Sequence, residues 1–355
     1  MKNRRFQICL VALSLGLILT LNSCNKSNSV APQITEPSSP IQVDEVKANA
    51  EFDEIVVRND ARLAASGNIA TRGILKTAFV PDDFPTIQAA VDAVGAKGNV
   101  HVKGGTYTEV VVINKPDMNI LAIGEVTLKG GFVLTAGADN TKIQKFDIKV
   151  NPGGTGINAR DITRGQIYEN TIIGSSGNGI RYSNSTNVSI KNNTIIGLSW
   201  GISLLESGVA CNNNTFSGNT ITSISFGSPI HLQGNCDNNL ISENDITLKT
   251  TNVNGGIMIY GFGSTRQPDY NNINNNICNQ NAQIGIWLFG GSHNAIGPYN
   301  TCNDNTFHGI YLNNSASDNN IFDNTATGNP QCDIKNEGAA SNVSSNNTAG
   351  CIQGF

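Results

Sequence analysis

Residues 193–204 read NTIIGLSWGISL, and this stretch contains the two features that decide the fold. An Asn begins one short apolar run, and a Gly-Ile pair begins the next. The pair, in which Gly is replaced twice, occurs eight times, at Gly156-Ile157, Gly179-Ile180, Gly201-Ile202, Pro229-Ile230, Gly256-Ile257, Gly285-Ile286, Gly309-Ile310 and Asp333-Ile334. The Asn also occurs eight times, at Asn170, Asn193, Asn219, Asn244, Asn276, Asn300, Asn324 and Asn347. Neighbouring members of each series lie 22 to 32 residues apart, and a period of this size indicates a solenoid.

The local pattern indicates strands rather than helices. A helical repeat needs about ten or more residues of 3.6-residue periodicity, whereas the apolar runs here are short, often β-branched, and interrupted by Asn and Gly. Residues 202–204 and 286–288 alternate in the way that strands do. Asn and Gly also tolerate the positive φ angles that sharp turns require. We therefore expect each repeat to be a coil of short strands that buries its apolar side by stacking on its neighbours.

The eight Asn residues are predicted to have a structural role. Because they recur in phase, their side-chain amides can stack in a ladder at one turn of the solenoid. There they would satisfy backbone groups that are buried from water. We do not expect these residues to bind a ligand.

Two segments near the start of the repeats point to a known family. Residues 84–91, FPTIQAAV, look like the amphipathic helix that caps a β-solenoid, and residues 104–113, GGTYTEVVVI, look like a first coil. With its repeats, the chain resembles the right-handed parallel β-helix family, the pectin-lyase-like fold, over residues 80–355. The resemblance implies an all-β, single-stranded right-handed parallel β-helix solenoid with an N-terminal capping helix. We expect roughly ten coils and a length of ~50 Å at the usual strand spacing.

The first 23 residues have the pattern of an export signal. Lys2, Arg4 and Arg5 precede an apolar stretch at residues 8–21, which is too short to span a bilayer comfortably. Residues 21–24, LNSC, resemble the bacterial lipobox, in which the Cys is acylated. The resemblance implies that residues 1–23 are a lipoprotein signal peptide and that Cys24 carries a lipid anchor to a membrane. Ordinary secretion with an incidental Cys is the alternative.

Two further segments separate this signal from the repeats. Residues 24–45 are rich in Ser, Pro and Asn, and they are predicted to be a flexible tether. Residues 46–79 mix apolar and charged residues. We interpret them as a leader that adds either a strand or a helix to the first coils, and the sequence does not decide between the two.

The charge of the chain excludes one class of partner. The net charge is −4 at pH 7, and the basic residues neither cluster nor alternate with aromatic ones. Nucleic acid is therefore not expected to be a partner.

Four cysteines occupy matching positions in neighbouring repeats. Cys211 and Cys236 precede their Asn residues by the same distance, and Cys278 and Cys302 follow theirs by the same distance. Neighbouring coils lie ~4.8 Å apart, within the Cα range that a disulfide bridges, and an exported protein can be oxidised. We predict the disulfides Cys211–Cys236 and Cys278–Cys302. A ladder of free, buried thiols is the alternative.

The remaining Cys and His residues predict no metal site. Cys332 and Cys351 do not occupy matching positions, but they could pair with each other at the C-terminal end. None of the cysteine spacings matches a CxxC metal pair. The repeats also resemble a NosD-like periplasmic subfamily that is associated with the maturation of copper enzymes. However, His231 and Met258 are the only soft ligands predicted to be neighbours, and two ligands make a weak site. We expect neither a metal nor another cofactor.

Alternation along each strand assigns its outward residues. After each repeated Ile, the first and third residues point out and the second points in. The inward residues predict the core, at Tyr182, Leu204, Leu232, Ile259, Leu288 and Leu312. The outward residues include a group that we predict to be an exposed binding site, formed by His231, Tyr260, Trp287, Phe289 and Tyr311.

An exposed aromatic surface of this kind marks an interaction site. Flat rings beside polar side chains suit a polysaccharide, and they suit a protein of the cell envelope equally well. The alternative is that the leader, or the insertion at residues 260–270, covers these side chains.

The resemblance also implies an enzymatic alternative, because this fold carries polysaccharide lyases, hydrolases and epimerases. The repeats contain none of the polygalacturonase motifs NTD, DD, GHG and RIK, and the DPHE motif of mannuronan epimerases is absent as well. Asp161 and Glu206 occupy matching outward positions two coils apart, ~10 Å by strand spacing, near the upper end of the range for an inverting glycosidase. Arg181 lies beside them, and these three are the candidate catalytic residues.

The sequence therefore predicts a lipid-anchored protein of the cell envelope, on the outer membrane or facing the periplasm. We expect it to bind a polysaccharide or an envelope partner through the aromatic group. A lyase, hydrolase or epimerase that acts on a polysaccharide is the alternative.

Overall fold

Consecutive coils of the chain pair in parallel, and this pairing winds the chain into a β-solenoid. The structure is a computed structural model that describes residues 42–65, 75–248, 254–313 and 315–355. Each coil has three faces, which are called faces I, II and III in the order in which the chain meets them.

Two long strands, β2 (Val94–Ile113) and β3 (Asn119–Leu134), pass through all three faces. Face I otherwise consists of β1 (Leu75–Val80), β4 (Lys142–Gln144), β7 (Gln166–Tyr168), β10 (Ser189–Lys191), β13 (Thr215–Ser217), β16 (Leu240–Ser242), β18 (Asn272–Asn274), β20 (Ala295–Ile296), β22 (Asn320–Phe322) and β25 (Val343–Ser345). Face II consists of β5 (Asp147–Lys149), β8 (Thr171–Ile173), β11 (Thr194–Ile196), β14 (Thr220–Thr222), β23 (Thr325–Ala326) and β26 (Thr348–Ala349). Face III consists of β6 (Thr155–Arg160), β9 (Asn178–Ser183), β12 (Trp200–Leu205), β15 (Ile230–Gln233), β17 (Gly255–Tyr260), β19 (Ile284–Phe289), β21 (His308–Leu312), β24 (Cys332–Asn336) and β27 (Ile352–Gln353).

The register of the repeats is confirmed. On face III, the repeated isoleucines pair with one another from coil to coil, at Ile157, Ile180, Ile202, Ile230, Ile257, Ile286, Ile310 and Ile334. Face I contains twelve paired rungs, from Ala78 to Ser344. At ~4.8 Å per rung the solenoid is ~50 Å long, so it has slightly more coils than the sequence suggests.

The core lies inside the three faces, as predicted. The inward residues of face III are fully buried, at Tyr182, Leu204, Leu232, Ile259, Leu288 and Leu312. Burying an aliphatic side chain of this size contributes roughly 1.5–3 kcal/mol to stability. The equivalent side chains on which each one packs belong to the coils above and below it. The apolar stabilisation of a coil therefore depends on its neighbours.

The predicted Asn ladder occupies the turn between faces I and II. From Asn170 to Asn347, each side-chain Nδ2 donates to the Oδ1 of the Asn one coil further on, over 2.9–3.1 Å. In Asn193, for example, Nδ2 also donates to two backbone carbonyls, and the backbone N–H donates to Asn219 Oδ1. Leaving one such buried group unpaired would cost about 1–3 kcal/mol.

Two further Asn ladders were not predicted. One lies at the turn from face III to face I and consists of Asn214, Asn239, Asn271, Asn294, Asn319 and Asn342. The other lies at the turn from face II to face III, where Asn281, Asn305 and Asn329 lead to the carboxylate of Asp333. The sequence signal for the first was an Asn five or six residues before a main-ladder Asn, from Asn214 before Asn219 to Asn342 before Asn347.

Asn244→Ala should destabilise the solenoid strongly. The Oδ1 atom of Asn244 accepts both the backbone N–H and the Nδ2 of Asn219, and its own Nδ2 donates to Asn276. We expect a loss of ~2–5 kcal/mol, because several buried groups lose a partner at once, and a lower midpoint in scanning calorimetry. Asn320→Ala, an exposed Asn in β22, is the control and should change stability by about 0.5 kcal/mol or less. Equal midpoints for the two variants would contradict the structural role of the ladder.

The predicted pairing of cysteines is wrong. The four cysteines of matching coils are free, buried thiols, at Cys211, Cys236, Cys278 and Cys302. Burial raises the pKa of the Cys236 and Cys278 thiols well above the ordinary value, and this disfavours the thiolate that disulfide chemistry requires. Instead, the thiols fill the core as small apolar groups. The disulfide joins Cys332 to Cys351 in the last coils.

Helix α2 (Ile87–Ala93) closes the N-terminal end of the solenoid, as predicted. Thr86 Oγ1 accepts the N–H of Ala89, and the carboxylate of Glu109 accepts the N–H groups of Ile87 and Gln88. The solenoid itself begins at β1, which lies inside the segment assigned to the leader.

The leader also contains helix α1 (Glu45–Ala65), so it supplies both a helix and a strand. No helix within the described ranges is long and apolar enough to cross a bilayer. The predicted signal peptide, Cys24 and most of the predicted tether fall in residues 1–41, outside the described residues.

Candidate functional site

Helix α1 lies lengthwise on the outer surface of face III. Its contacts move towards the capped end of the solenoid as the helix proceeds. In chain order, Gln42 just before the helix contacts Tyr260, and helix residues Glu45, Asn49, Asp53 and Arg62 contact Gln233, Ser207, Arg160 and Asp92, respectively. Phe52 packs on Val112 and Val133. The helix therefore runs against the direction in which coils are added.

The length of α1 matches the surface that it crosses. Its 21 residues extend ~31 Å at ~1.5 Å per residue. The six rungs of face III from β2 to β15 span ~24 Å at ~4.8 Å per interval, and the helix continues past β2 to Asp92 of α2. A single helix thus lies along about half of the length of this face.

The prediction that the aromatic group forms an exposed binding site is wrong. Its residues do lie on adjacent rungs of the outward columns. However, most of them are buried, with exposed fractions of 0% for His231, 8% for Tyr260, 1% for Trp287 and 4% for Tyr311, and Phe289 is half-buried. The rings of Tyr260 and Phe289 stack with centroids 4.9 Å apart, and Gln42, in the segment predicted to be the tether, donates to the Tyr260 hydroxyl. The insertion at residues 260–270 also covers Tyr260, because the ring of Phe262 packs edge to face on it with centroids 5.0 Å apart.

His231 is fully buried, and its ring stacks on Trp200 with the ring centroids 5.0 Å apart. Neither ring nitrogen has a hydrogen-bond partner among the residues that the structure describes. Burial lowers the pKa of His231 to about 3. The imidazole is therefore neutral at physiological pH.

The pKa of His231 predicts a pH dependence of stability. In the unfolded chain a His has a pKa of ~6.5, so below this pH the unfolded state binds a proton that the folded state does not. The free energy of unfolding should then fall by ~1.4 kcal/mol per pH unit as the pH decreases from ~6.5 towards 3. His231→Phe should remove this component, which amounts to ~2 kcal/mol between pH 7 and pH 5 in urea unfolding. The exposed His293→Phe is the control, and an unchanged pH dependence in His231→Phe would refute the assignment.

A groove runs along one side of α1, between the helix and the turn that enters face III. It consists of two adjoining clefts of about 450 and 320 Å³ that share Lys47, Glu51 and Gly153. It extends from Val110 in β2 to Trp200 in β12 and so crosses five rungs. At the rung spacing the groove is about 20 Å long.

The solenoid side of the groove is polar along its length and aromatic at one end. The polar side chains are those of Asn151, Thr155, Asn158, Ser176, Asn178 and Ser199. Asn158 Nδ2 and Asn178 Oδ1 are buried and lack a hydrogen-bond partner in the described part of the chain. Trp200 and Phe226 meet edge to face at the aromatic end with centroids 6.5 Å apart, and Phe226 is 49% exposed. The groove thus offers both hydrogen-bonding groups and an exposed ring.

The charges that line the groove balance. The cations are Lys47 and Arg181, and the anions are Asp44 and Glu51. Burial lowers the pKa of Arg181 to about 10, although the Glu51 carboxylate opposes this shift. Arg181 therefore stays a cation at neutral pH, and its Nε donates to Asn158 Oδ1 over 3.2 Å.

The sequence did not identify the aromatic end of the groove. Only the residues after each repeated Ile were assigned to columns. Strict alternation places the second residue before the Ile inward, but the Gly between them breaks the alternation, because a Cβ at Gly201 would meet the core residue Ile221. Trp200 therefore pairs with Asn178 and lines the groove. Extending the alternation backwards would have assigned Trp200 to the core. Phe226 lies in a turn without a periodic position, so only the structure places it.

The three candidate catalytic residues do not converge. Asp161 is exposed and accepts a hydrogen bond from Asn184 Nδ2, and Asn184 lies on the rung between the two carboxylates. Glu206 is 4% exposed and is held in an ion pair by Arg266. Two rung intervals separate the carboxylates by ~10 Å. Arg181 Nε donates to Asn158 Oδ1.

The structure brings few metal-binding groups together. Within the described ranges, no three His, Cys, Asp or Glu side chains are close enough to hold a metal ion. His231 and Met258 do pair on adjacent rungs. The absence of a cofactor stays a prediction.

Comparison with known proteins identifies the fold. The family model for the right-handed β-helix region matches residues 99–246 and 201–349, and a comparison with curated proteins gives no match. Among solved structures, a mutant of the periplasmic alginate epimerase AlgG is 12% identical with a TM-score of 0.50, over 71% of this chain and 77% of that chain. The A-module of the Azotobacter vinelandii mannuronan C-5 epimerase AlgE4 is 14% identical with a TM-score of 0.45, over 76% and 92%. The catalytic domain of a GH87 α-1,3-glucanase is 14% identical with a TM-score of 0.44, over 77% and 68%. At these identities the similarity is one of fold.

Proposed function

The chain belongs to the right-handed β-helix family, and on that premise we propose that it binds a neutral polysaccharide in the groove beside α1. We propose binding without catalysis, in the cell envelope. The observation that carries the proposal is the groove itself. It is about 20 Å long at the rung spacing, balanced in charge, lined with amides and hydroxyls, and aromatic at one end.

The chemistry of the lining suits sugar rings. Asn, Ser and Thr side chains both donate and accept hydrogen bonds, as does each hydroxyl of a sugar. The exposed ring of Phe226 offers an apolar surface for the C–H face of a sugar, and a few polar groups around apolar surface are typical of binding sites. An acidic polymer would bring its carboxylates close to Asp44 and Glu51, and such like-charge contacts disfavour binding.

Phe226→Ala should weaken polysaccharide binding about ten-fold, which corresponds to ~1.4 kcal/mol, because the groove loses its exposed ring. Affinity electrophoresis in gels that contain dextran, laminarin, alginate or polygalacturonate measures this and compares neutral with acidic polymers. Tyr299→Ala is the matched control, since Tyr299 is 69% exposed and does not line the groove. Equal retention of both variants would exclude the groove as the site. Release of reducing ends or unsaturated sugars by the wild-type protein would favour a hydrolase or lyase instead.

We further propose that the protein is exported and anchored to a membrane by a lipid on Cys24. The support is the basic start, the apolar stretch and the LNSC sequence of residues 1–24. Mass spectrometry of the mature protein should find an acylated Cys24 at the N-terminus. Cys24→Ala should move the protein from the membrane to the soluble fraction, because a lipid chain is the only anchor proposed. Unchanged membrane partitioning of Cys24→Ala would contradict the anchor.

A further inference from the structure

A polar strip of face III lies beneath residues 42–51, which are the first seven residues of α1 and the three residues before it. The strip consists of outward side chains on four successive rungs, at Asn158, Arg181, Ser203 and His231. All four are buried, with exposed fractions of 2%, 3%, 0% and 0%. The strip borders the groove directly, because Asn158 and Arg181 also line the groove.

The cover does not satisfy the groups that it buries. Asn158 Nδ2, Ser203 Oγ and both ring nitrogens of His231 have no hydrogen-bond partner among the described protein groups, and neither does Gln233 Oε1 on the neighbouring column. Each such group costs about 1–3 kcal/mol when it is buried unpaired. A cover that served stability alone would be expected to lie on apolar side chains.

From Phe52 onward, α1 does lie on apolar side chains. Phe52 is 3% exposed and packs on Val112 and Val133, and Ile55 and Val56 are partly buried against the same cluster. Burial of a Phe side chain contributes roughly 1.5–3 kcal/mol. This part of the helix is therefore anchored by the hydrophobic effect.

Residues 42–51 are held mainly by polar contacts. Asn49 Nδ2 donates to Ser207 Oγ over 3.1 Å, and Glu45 lies 3.6 Å from Arg266. Because Glu45 and Arg266 remain partly exposed, such an ion pair contributes only ~0–1 kcal/mol. Val43 adds a small apolar cluster with Trp200 and Leu205. Residues 42–51 and the helix from Phe52 onward thus differ in how firmly they are held.

We propose that residues 42–51 are a displaceable cover and that a polysaccharide entering the groove replaces them on the polar strip. The helix from Phe52 onward stays in place as the anchor. The displaced segment begins within the predicted tether at residues 24–45, so its movement requires no break in the solenoid. The inference rests on the proposed function and enlarges its site by the strip, whose neutral His231 can both donate to and accept from a sugar hydroxyl.

Hydrogen exchange followed by mass spectrometry tests the cover with and without ligand. Without ligand, backbone amides of residues 43–51 should exchange at least ten-fold faster than those of residues 54–62. Equal or slower exchange in residues 43–51 would overturn the inference. With laminarin or dextran, exchange should rise in residues 43–51 and fall in β9 and β12. Slower exchange in residues 43–51 on binding would make the segment a fixed wall of the groove and would also overturn the inference.

A cross-link across the cover provides a second test. Asn49→Cys combined with Ser207→Cys replaces two side chains whose polar atoms are 3.1 Å apart, and oxidation should tie the cover to the solenoid. The oxidised double variant should bind the same neutral polysaccharide at least ten-fold more weakly than after reduction. Asn49→Cys alone, under the same oxidation and reduction, controls for the added thiol and for reduction of Cys332–Cys351. The hydrogen-exchange experiment tests the inference even if the new disulfide does not form.

The outcomes separate this inference from the proposed function. If the wild-type protein binds none of the four polysaccharides, the proposed function fails and the inference fails with it. If the wild-type protein binds and the oxidised double variant binds equally well, only the inference fails. If oxidation abolishes binding and reduction restores it, both are supported.

Discussion

The buried amide ladder is the interaction on which the rest of the structure depends. Where the chain turns between faces I and II, backbone groups point into the solenoid, away from water, and each needs a partner. Each ladder Asn donates to a backbone carbonyl of the preceding coil, and from Asn170 to Asn324 each also donates to the Asn of the next coil. A coil that slipped by one residue would lose both sets of bonds and would also turn its apolar side chains outward.

The ladder explains why the repeats vary in length without losing register. Steps of 22 to 32 residues are accommodated by loops such as residues 261–270, while the Asn returns to the same corner in each coil from Asn170 to Asn347. Two more corners carry their own ladders in the later coils. The register is therefore set at the turns, and the strands of faces I, II and III follow from it.

A fixed register has a consequence for the outer surface of face III. Every second side chain must point out, so a row of outward residues runs the length of the solenoid. In this protein the row is apolar at Val112 and Val133, polar from Asn158 to His231, and aromatic at Trp287 and Tyr311. One helix lies across the first two of these zones and packs closely only on the apolar one. The same arrangement produces the groove and, in our proposal, the movable cover.

The similarity to carbohydrate-active proteins is one of fold. The candidate carboxylates do not converge, so they give no support for a shared catalytic chemistry. Asp161 and Glu206 share a column, which the sequence located correctly, yet each is engaged by side chains other than the other carboxylate. A shared fold leaves the function to be decided by its sites. In this chain the site best supported by geometry is the groove, which none of the predicted binding or catalytic residues except Arg181 lines.

The sequence by itself determined the solenoid, its register, its capping helix, its core residues and one Asn ladder, because these follow from local periodicity repeated in phase. It also placed His231, Trp287 and Tyr311 on outward columns correctly. Only the tertiary structure decided that these columns are covered. Gln42 contacts Tyr260 across 218 positions and Asp53 contacts Arg160 across 107. The segment that makes these contacts, residues 42–65, is not part of the repeats, so the repeat pattern could not predict its position. The cysteines show the same distinction. The repeat pattern predicts that they lie in neighbouring coils, whereas their burial, which keeps them as free thiols, follows from the packing of the core.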